Sequence, residues 1–412
     1  MPSSALLGSV QVAIEPTGNW QEDLTASATF VPVAVVEAEL HPQFEQETLE
    51  PKPLQQFKDG YVDTEPGWET AMLDLTVRCS GLGSSAGDGV TSSAEEAGSG
   101  LQVIMGQIFG GFAGANTGDT VNGTPVNNYS IPYAGLGSWA GGEFMGWEDS
   151  SSIVHCHEVA SVSGNTATLI TAFGATPGDG NELFQGNVFY LAEDPTDALQ
   201  FLVHGAENHN KWLLTGCQLN SPPTLSRVNG ELADWTFQFK CTKVALEASG
   251  SLAAVTYVDR SPLYVDGELR IGVVGATTRT LYHASEVAYT FNSPSWWFQP
   301  THNEGMNGFA GTRRQRPEGP AVEVSFTIPW DDNTWRTHRA NKQHIRLTDQ
   351  WGTTGGNVHA ISIPNAQVTG WQSVGHQGKG YQRITARSQL DTYVTNGGNA
   401  ELARSPVRIC AM

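Results

Sequence analysis

The sequence predicts a mainly β protein built as two similar halves, and three observations carry that prediction. Its 46 glycines and 21 prolines break β-branched and aromatic runs roughly every 8–12 residues, a rhythm of antiparallel strands rather than of a helix bundle. At 412 residues and 39% hydrophobic content, the chain is long enough to bury more than one core. The third observation is a recurring order of features: alternating strand, long polar excursion with Pro and Gly, second alternating strand, short helix, closing hairpin. It begins at Val33 and again at Glu286. A chain with two such halves lets three subunits present six similar positions around a ring. That points to an assembly component.

Residues 1–29 are expected as an N-terminal arm. Val33–Leu40 alternates, so Val36, Ala38 and Leu40 are expected on one face and Val35, Glu37 and Glu39 on the other. The excursion over 44–70 holds Leu49, Pro51, Leu54, Phe57, Tyr61 and Trp68. Loops of that length inside a compact domain are functional or disordered, and this aromatic content argues for docking on a neighbouring subunit. Ala71–Cys79 returns as a half-buried strand with Asp74 on its polar face. Gly81–Gly100 reads as a flexible Gly/Ser/Ala loop, and Leu101–Phe109 as a short helix weakened by Gly106.

Residues 110–200 read as an insertion confined to the first copy, with a hairpin turning at Gly164–Asn165. Trp212–Leu219, a turn near Asn229–Gly230 and Trp235–Cys241 complete a first domain over 30–245. A linker over 246–267 follows, then a second domain over 268–412. Here Leu269–Val274 and Val287–Phe291 lead into an excursion over 292–320 that contains Trp296, Trp297, Arg313, Arg314 and Arg316. Aromatic pairs beside arginine are common interface chemistry, and the arginines are expected to meet the acidic half of a neighbouring subunit. Val322–Ile328 returns, Asp331–Lys342 forms a helix with cations towards its end, and Ala360–Ile363 and Tyr381–Leu390 close the copy.

The formal net charge of −20 is unevenly placed: residues 1–250 carry 30 acids against 7 Lys/Arg, and residues 251–412 carry 12 against 15. An acidic half disfavours a phosphate-gripping surface and suits a wall that nucleic acid slides past. Nothing near Glu37 and Glu39 supplies an acid, a base or an orienting partner, so they are not expected to form a catalytic pair. No stretch approaches the ~18 apolar residues of a membrane helix, and residues 1–8 lack the pattern of a signal peptide. The five cysteines, 79, 156, 217, 241 and 410, lack CxxC spacing and are expected as reduced packing residues. Gly375–Gly380 misses the phosphate-loop spacing. His155-Cys156-His157 puts its imidazoles and its thiol on opposite strand faces, so joint metal ligation would need help from His204 or His209. No enzyme activity, cofactor or metal is expected.

Several segments resemble the tail tube proteins, or major tail proteins, of tailed bacteriophages. They are Thr48-Leu49-Glu50-Pro51-Lys52-Pro53-Leu54, the Trp68–Val77 strand, the hairpin from Val162 to Leu169, and Leu214–Leu219 through Gly230-Glu231 to Trp235–Phe239. The likeness covers residues 30–245, and the second copy shares the pattern only. It implies two tandem β-sandwich or barrel domains of the tail-tube type, each with one short helix and a long inter-ring loop. Copies would self-associate into stacked rings, a trimer per ring, with other tail proteins at the tube ends. DNA would pass through the lumen without specific binding, with Glu37, Glu39 and Asp74 facing it. The protein would be made in the host cytoplasm and end in the virion tail, with no membrane partner. The alternative is a carbohydrate- or receptor-binding β-sandwich using the 12 tryptophans as platforms.

Overall fold

The structure, a computed structural model, describes residues 5–15, 30–44, 69–79, 100–114, 118–125, 127–136, 139–191, 198–205, 211–228, 231–241, 243–247, 267–276, 279–292, 295–298, 312–315, 321–330, 333–354, 357–376, 379–392, 394 and 399–412. It is mainly β, of the sandwich or barrel class. Helix accounts for 9% of the described residues, well below the roughly one-third of an average globular chain.

The first part of the chain carries β1 (Ala5–Glu15), β2 (Val31–Val33), β3 (Val35–Phe44), β4 (Glu69–Arg78), α1 (Gly100–Phe109) and β5 (Gly110–Ala113). A separate six-stranded sheet follows, made of β6 (Asp119–Thr120), β7 (Ser130–Pro132), β8 (Phe144–Glu148), β9 (Val154–Ser163), β10 (Thr166–Leu169) and β11 (Glu182–Gln185). The chain re-enters the main sheet as β12 (Asn187–Leu191), β13 (Ala198–Gly205), β14 (Lys211–Leu219), β15 (Thr224–Val228), β16 (Asp234–Cys241) and β17 (Lys243–Glu247). The last part carries β18 (Glu268–Val273), β19 (Thr280–Tyr282), β20 (Glu286–Phe291), β21 (Ser295–Phe298), β22 (Thr312–Gln315) and β23 (Val322–Pro329). It ends with α2 (Thr334–Ala340), β24 (His344–Thr354), β25 (Asn357–His376), β26 (Lys379–Ser388), α3 (Ala400–Arg404) and β27 (Arg408–Ala411).

Strand pairing runs in the same order twice. β3 pairs with β4, β4 with β16, and β16 with β15. β20 pairs with β23, β23 with β26, and β26 with β25. The order β2-β1-β13-β14-β17 is likewise matched by β19-β18-β24-β25-β27. The long β25 does in one strand what β14 and β15 do in two. Between those two lie Ser221-Pro222-Pro223, and proline cannot donate to a ladder. β15 pairs antiparallel with β20, from Thr224↔Thr290 to Val228↔Glu286, so β3-β4-β16-β15-β20-β23-β26-β25 is one continuous surface.

Period-2 patterning explains its two faces. Ala71, Leu73, Leu75 and Val77 of β4, Trp235, Phe237 and Phe239 of β16, and Val287, Tyr289 and Phe291 of β20 are buried, while the residues between them reach solvent. α1 covers this core with Leu101, Ile104, Met105, Ile108 and Phe109, a spacing that makes one helix face. Phe109 meets Phe291 edge-on at 5.5 Å. In α2, Trp335 does the same against Phe326 at 5.2 Å.

Three expectations need correction. Val36 is exposed and Val35 packs against the core, because a bulge between Val35 and Glu37 shifts the register and turns Val36 outward. The expected N-terminal arm contains an internal strand: β1 pairs with β13 over most of its length and buries Val10 and Val12. Of residues 110–200, only 119–185 build the separate sheet, since β5, β12 and β13 belong to the main one. The hairpin at Gly164–Asn165 and the helices at 100–109 and 334–340 lie where the sequence places them. Asn229–Gly230 and residues 248–266 of the expected linker lie outside the described residues.

Burial of one imidazole on β25 gives a pH prediction. His359 stacks on Trp351 with ring centroids 5.0 Å apart, and burial pushes its pKa from 6.5 down to about 3. The folded chain holds this ring neutral, whereas the unfolded chain protonates it at the ordinary value. Its contribution to stability is therefore present above pH 6.5 and is lost as pH falls towards 3. His359→Phe is expected to flatten the decline of the urea midpoint with falling pH in that window. An unchanged slope would contradict the assignment.

Candidate assembly interface

The solvent side of the continuous surface is polar from end to end. One register row runs Glu37, Thr76, Thr236, Thr224, Thr290, Glu323, Arg387, Gln367, and none of these side chains is buried. The middle of the face is short hydroxyls: Thr76, Thr224, Thr236 and Thr290, with Ser226, Ser325 and Thr385 in the neighbouring row. These residues offer no aromatic platform for stacking a base and no cluster of cations for gripping phosphate.

The ends of the face differ in charge. At the β3 end, Glu37 is exposed, and Glu39 stands opposite Asp74. His41 Nε2 lies 3.3 Å from Glu39 and 3.2 Å from Asp74. The sequence thus placed these three carboxylates on the solvent side, and the structure brings Glu39 and Asp74 together around an imidazole it had not singled out. Arg78 pairs with Asp234 at 3.4 Å, where desolvation raises the carboxyl pKa against the pull of the guanidinium. At the far end, Arg383 pairs with Glu286 at 2.7 Å and Arg387 with Glu323 at 2.9 Å. These pairs are solvent-screened, so each contributes at most about 1 kcal/mol. The sequence reading did not single out Arg383 or Arg387; the alternation of β26 is the signal that points both to this face.

Both outermost strands keep open edges among the described residues. Beyond β4, β3 meets β1 only at Leu40 and Glu39, and past Val368 β25 pairs only with β26. Such rows of unpaired N–H and C=O groups are templates for another strand.

The other predicted contact residues fare unequally. β21 and β22 pair so that Trp296 stands across from Arg314 and Trp297 across from Arg313. Arg316, Leu49, Pro51, Leu54, Phe57, Tyr61 and Trp68 lie outside the described residues. Trp139, Trp147, Trp235, Trp335 and Trp351 are core residues, and among the tryptophans whose burial is described only Trp330 is exposed.

No group of metal-ligating side chains occurs among the described residues. His155 bonds Asp149 at 3.1 Å, His157 packs on Phe173, and Cys156 faces Cys410, so the His155–His157 trio points to three different partners. All five cysteines are free and buried. No helix of the described residues is long and apolar enough to cross a membrane. Neither a protein-family model nor a curated protein matches the chain.

Proposed function

We propose that the chain is a structural subunit of a phage tail tube, stacking as rings around a channel for DNA. The observation that carries this reading is the β15–β20 junction. It joins the last strand of one four-strand set to the first strand of the next, and leaves β25 and β3, the same two positions, as the outer edges. Repeated between copies, that join extends the sheet from subunit to subunit, and such head-to-tail contacts make rings when the rotation closes. With two sets per chain, three copies complete a six-fold-like ring of two tandem domains. The acidic β3 end and the arginine-bearing β26–β25 end are complementary for this contact. The hydroxyl-rich face then lines the lumen, and DNA crosses it without being held. The partners are further copies of the chain and other tail proteins at the tube ends.

Negative-stain microscopy of the concentrated protein tests the proposal: tubes or stacked rings are expected. Discrete particles that bind glycans would replace it with a receptor-binding reading. Within the tube, Glu37→Lys with Glu39→Lys is expected to leave assembly intact and slow DNA ejection, more so at low salt, where screening is weak. Unchanged ejection kinetics at low ionic strength would remove these residues from the wall while leaving the tube reading in place.

A further inference from the structure

Where β9 of the separate sheet packs on β24 and β25, the contact is unusually rich in arginine. Arg270 and Thr348 are register partners across β18 and β24, Thr348 and Ser362 across β24 and β25, and Ser362 and Arg408 across β25 and β27. Arg346 pairs with Asp391, and Arg279 donates from Nη1 to Thr348 Oγ1 at 3.0 Å. The carboxylates of this layer are already engaged. Glu158 Oε1 takes Arg408 Nη1 at 2.6 Å and its Oε2 takes the Ser362 hydroxyl. Asp391 accepts from Arg408 at 3.0 Å. Glu268 holds both Nε and Nη2 of Arg270.

Arg279 is left over. Its Nε and Nη2 are buried and have no hydrogen-bond partner. Nε and Nη2 form the side-on fork of a guanidinium, the edge that fits two oxygens of one oxyanion. A buried guanidinium with two idle donors and cationic neighbours is costly unless an anion joins it. The local field agrees: burial first, then Arg346, lower the Arg279 pKa to about 9, against the opposing pull of Glu158.

We propose that the Arg279 fork binds a small oxyanion of the phosphate or sulfate class between the separate sheet and the β18–β24 strands. The site does not depend on the tube reading, since it lies within one chain.

The test uses the intact protein, with inorganic phosphate or sulfate titrated against chloride at constant ionic strength while thermal unfolding is followed. A saturable rise in Tm is expected, and Arg279→Gln is expected to weaken the apparent affinity by about tenfold or more, the loss of a bidentate charged contact. Glycerol phosphate run in parallel separates sources: a response equal to that of phosphate assigns the fork to the end group of a larger ester, and a response to phosphate alone assigns it to the free ion. Should Arg279→Gln fail to fold, selenate soaked into crystals of the wild-type protein replaces it, with anomalous density expected beside Arg279. No saturable response, an undiminished one in Arg279→Gln, or selenate density only elsewhere would overturn the site.

Discussion

Replacing Arg408 by Met is expected to destabilise the fold by roughly 3–5 kcal/mol, the range for leaving a buried charge without its partner. Arg408 is fully buried and has two carboxylates on one guanidinium, Glu158 of β9 and Asp391 beyond β26. It also donates to the carbonyls of Leu402 and Ala403 in α3, at 2.9 and 2.7 Å. The methionine fills similar volume, so the loss is electrostatic rather than a cavity. Both acids stay buried, Glu158 with only the Ser362 hydroxyl and Asp391 with Arg346 at 3.7 Å. Because β27 lies between β12 and β25, the damage is expected where the separate sheet meets the main one. Urea unfolding measures it, with Arg387→Ala as the control. Arg387 makes a similar contact with Glu323, but at 54% and 39% side-chain exposure, so its loss is expected to cost at most about 1 kcal/mol. Equal costs for the two variants would show that burial does not decide the matter here.

The contrast between these arginines also shows what was legible in the sequence. Alternation alone identified β4, β16, β20 and β23, because each has a strict apolar side, and it put Glu37, Glu39 and Asp74 on the solvent side. Gly164–Asn165 announced its hairpin through turn chemistry, which is local. Pairing between distant strands is not local. Nothing in the period of Thr224–Val228 or of Glu286–Phe291 says that these two strands meet, although that junction carries the assembly argument. The bulge at Val36 escaped for a related reason: a single extra residue reverses the faces upstream of it without altering composition. Arg279 and Thr348 lie 69 positions apart in the numbering, and the layer they share with Glu158 exists only because β9 packs on β24 and β25. The excursions with Leu49 to Trp68 were chosen on length and aromatic content, and the test of that choice lies in the assembled particle.

At the junction of the two four-strand sets, Asp349→Ala is expected to be the most damaging single change to the main core, again roughly 3–5 kcal/mol. Arg227 of β15 and Asp349 of β24 form an ion pair at 1% and 0% exposure, so a charge from the first part of the chain is neutralised by one from the last. Tyr289 of β20 donates its hydroxyl to the other Asp349 oxygen at 2.7 Å, and the Arg227 guanidinium stacks 4.9 Å from the centre of the Trp351 ring. Removing the carboxylate takes away the acceptor that a buried cation and a buried phenol share. Substituting the whole group, Arg227→Met with Asp349→Leu and Tyr289→Phe, is expected to restore most of the loss, because a buried pair exchanged for apolar residues of similar volume is often neutral. The two outcomes separate stability from specificity. If the triple variant is as stable as the parent but forms sheets of mixed register or irregular tubes, the pair serves to fix how β15 meets β20. If it assembles normally, register is set by the alternating core alone. A single Asp349→Ala variant that unfolds at the parental urea concentration would show instead that Arg227 finds solvent, and that this junction is less tightly closed than its burial indicates.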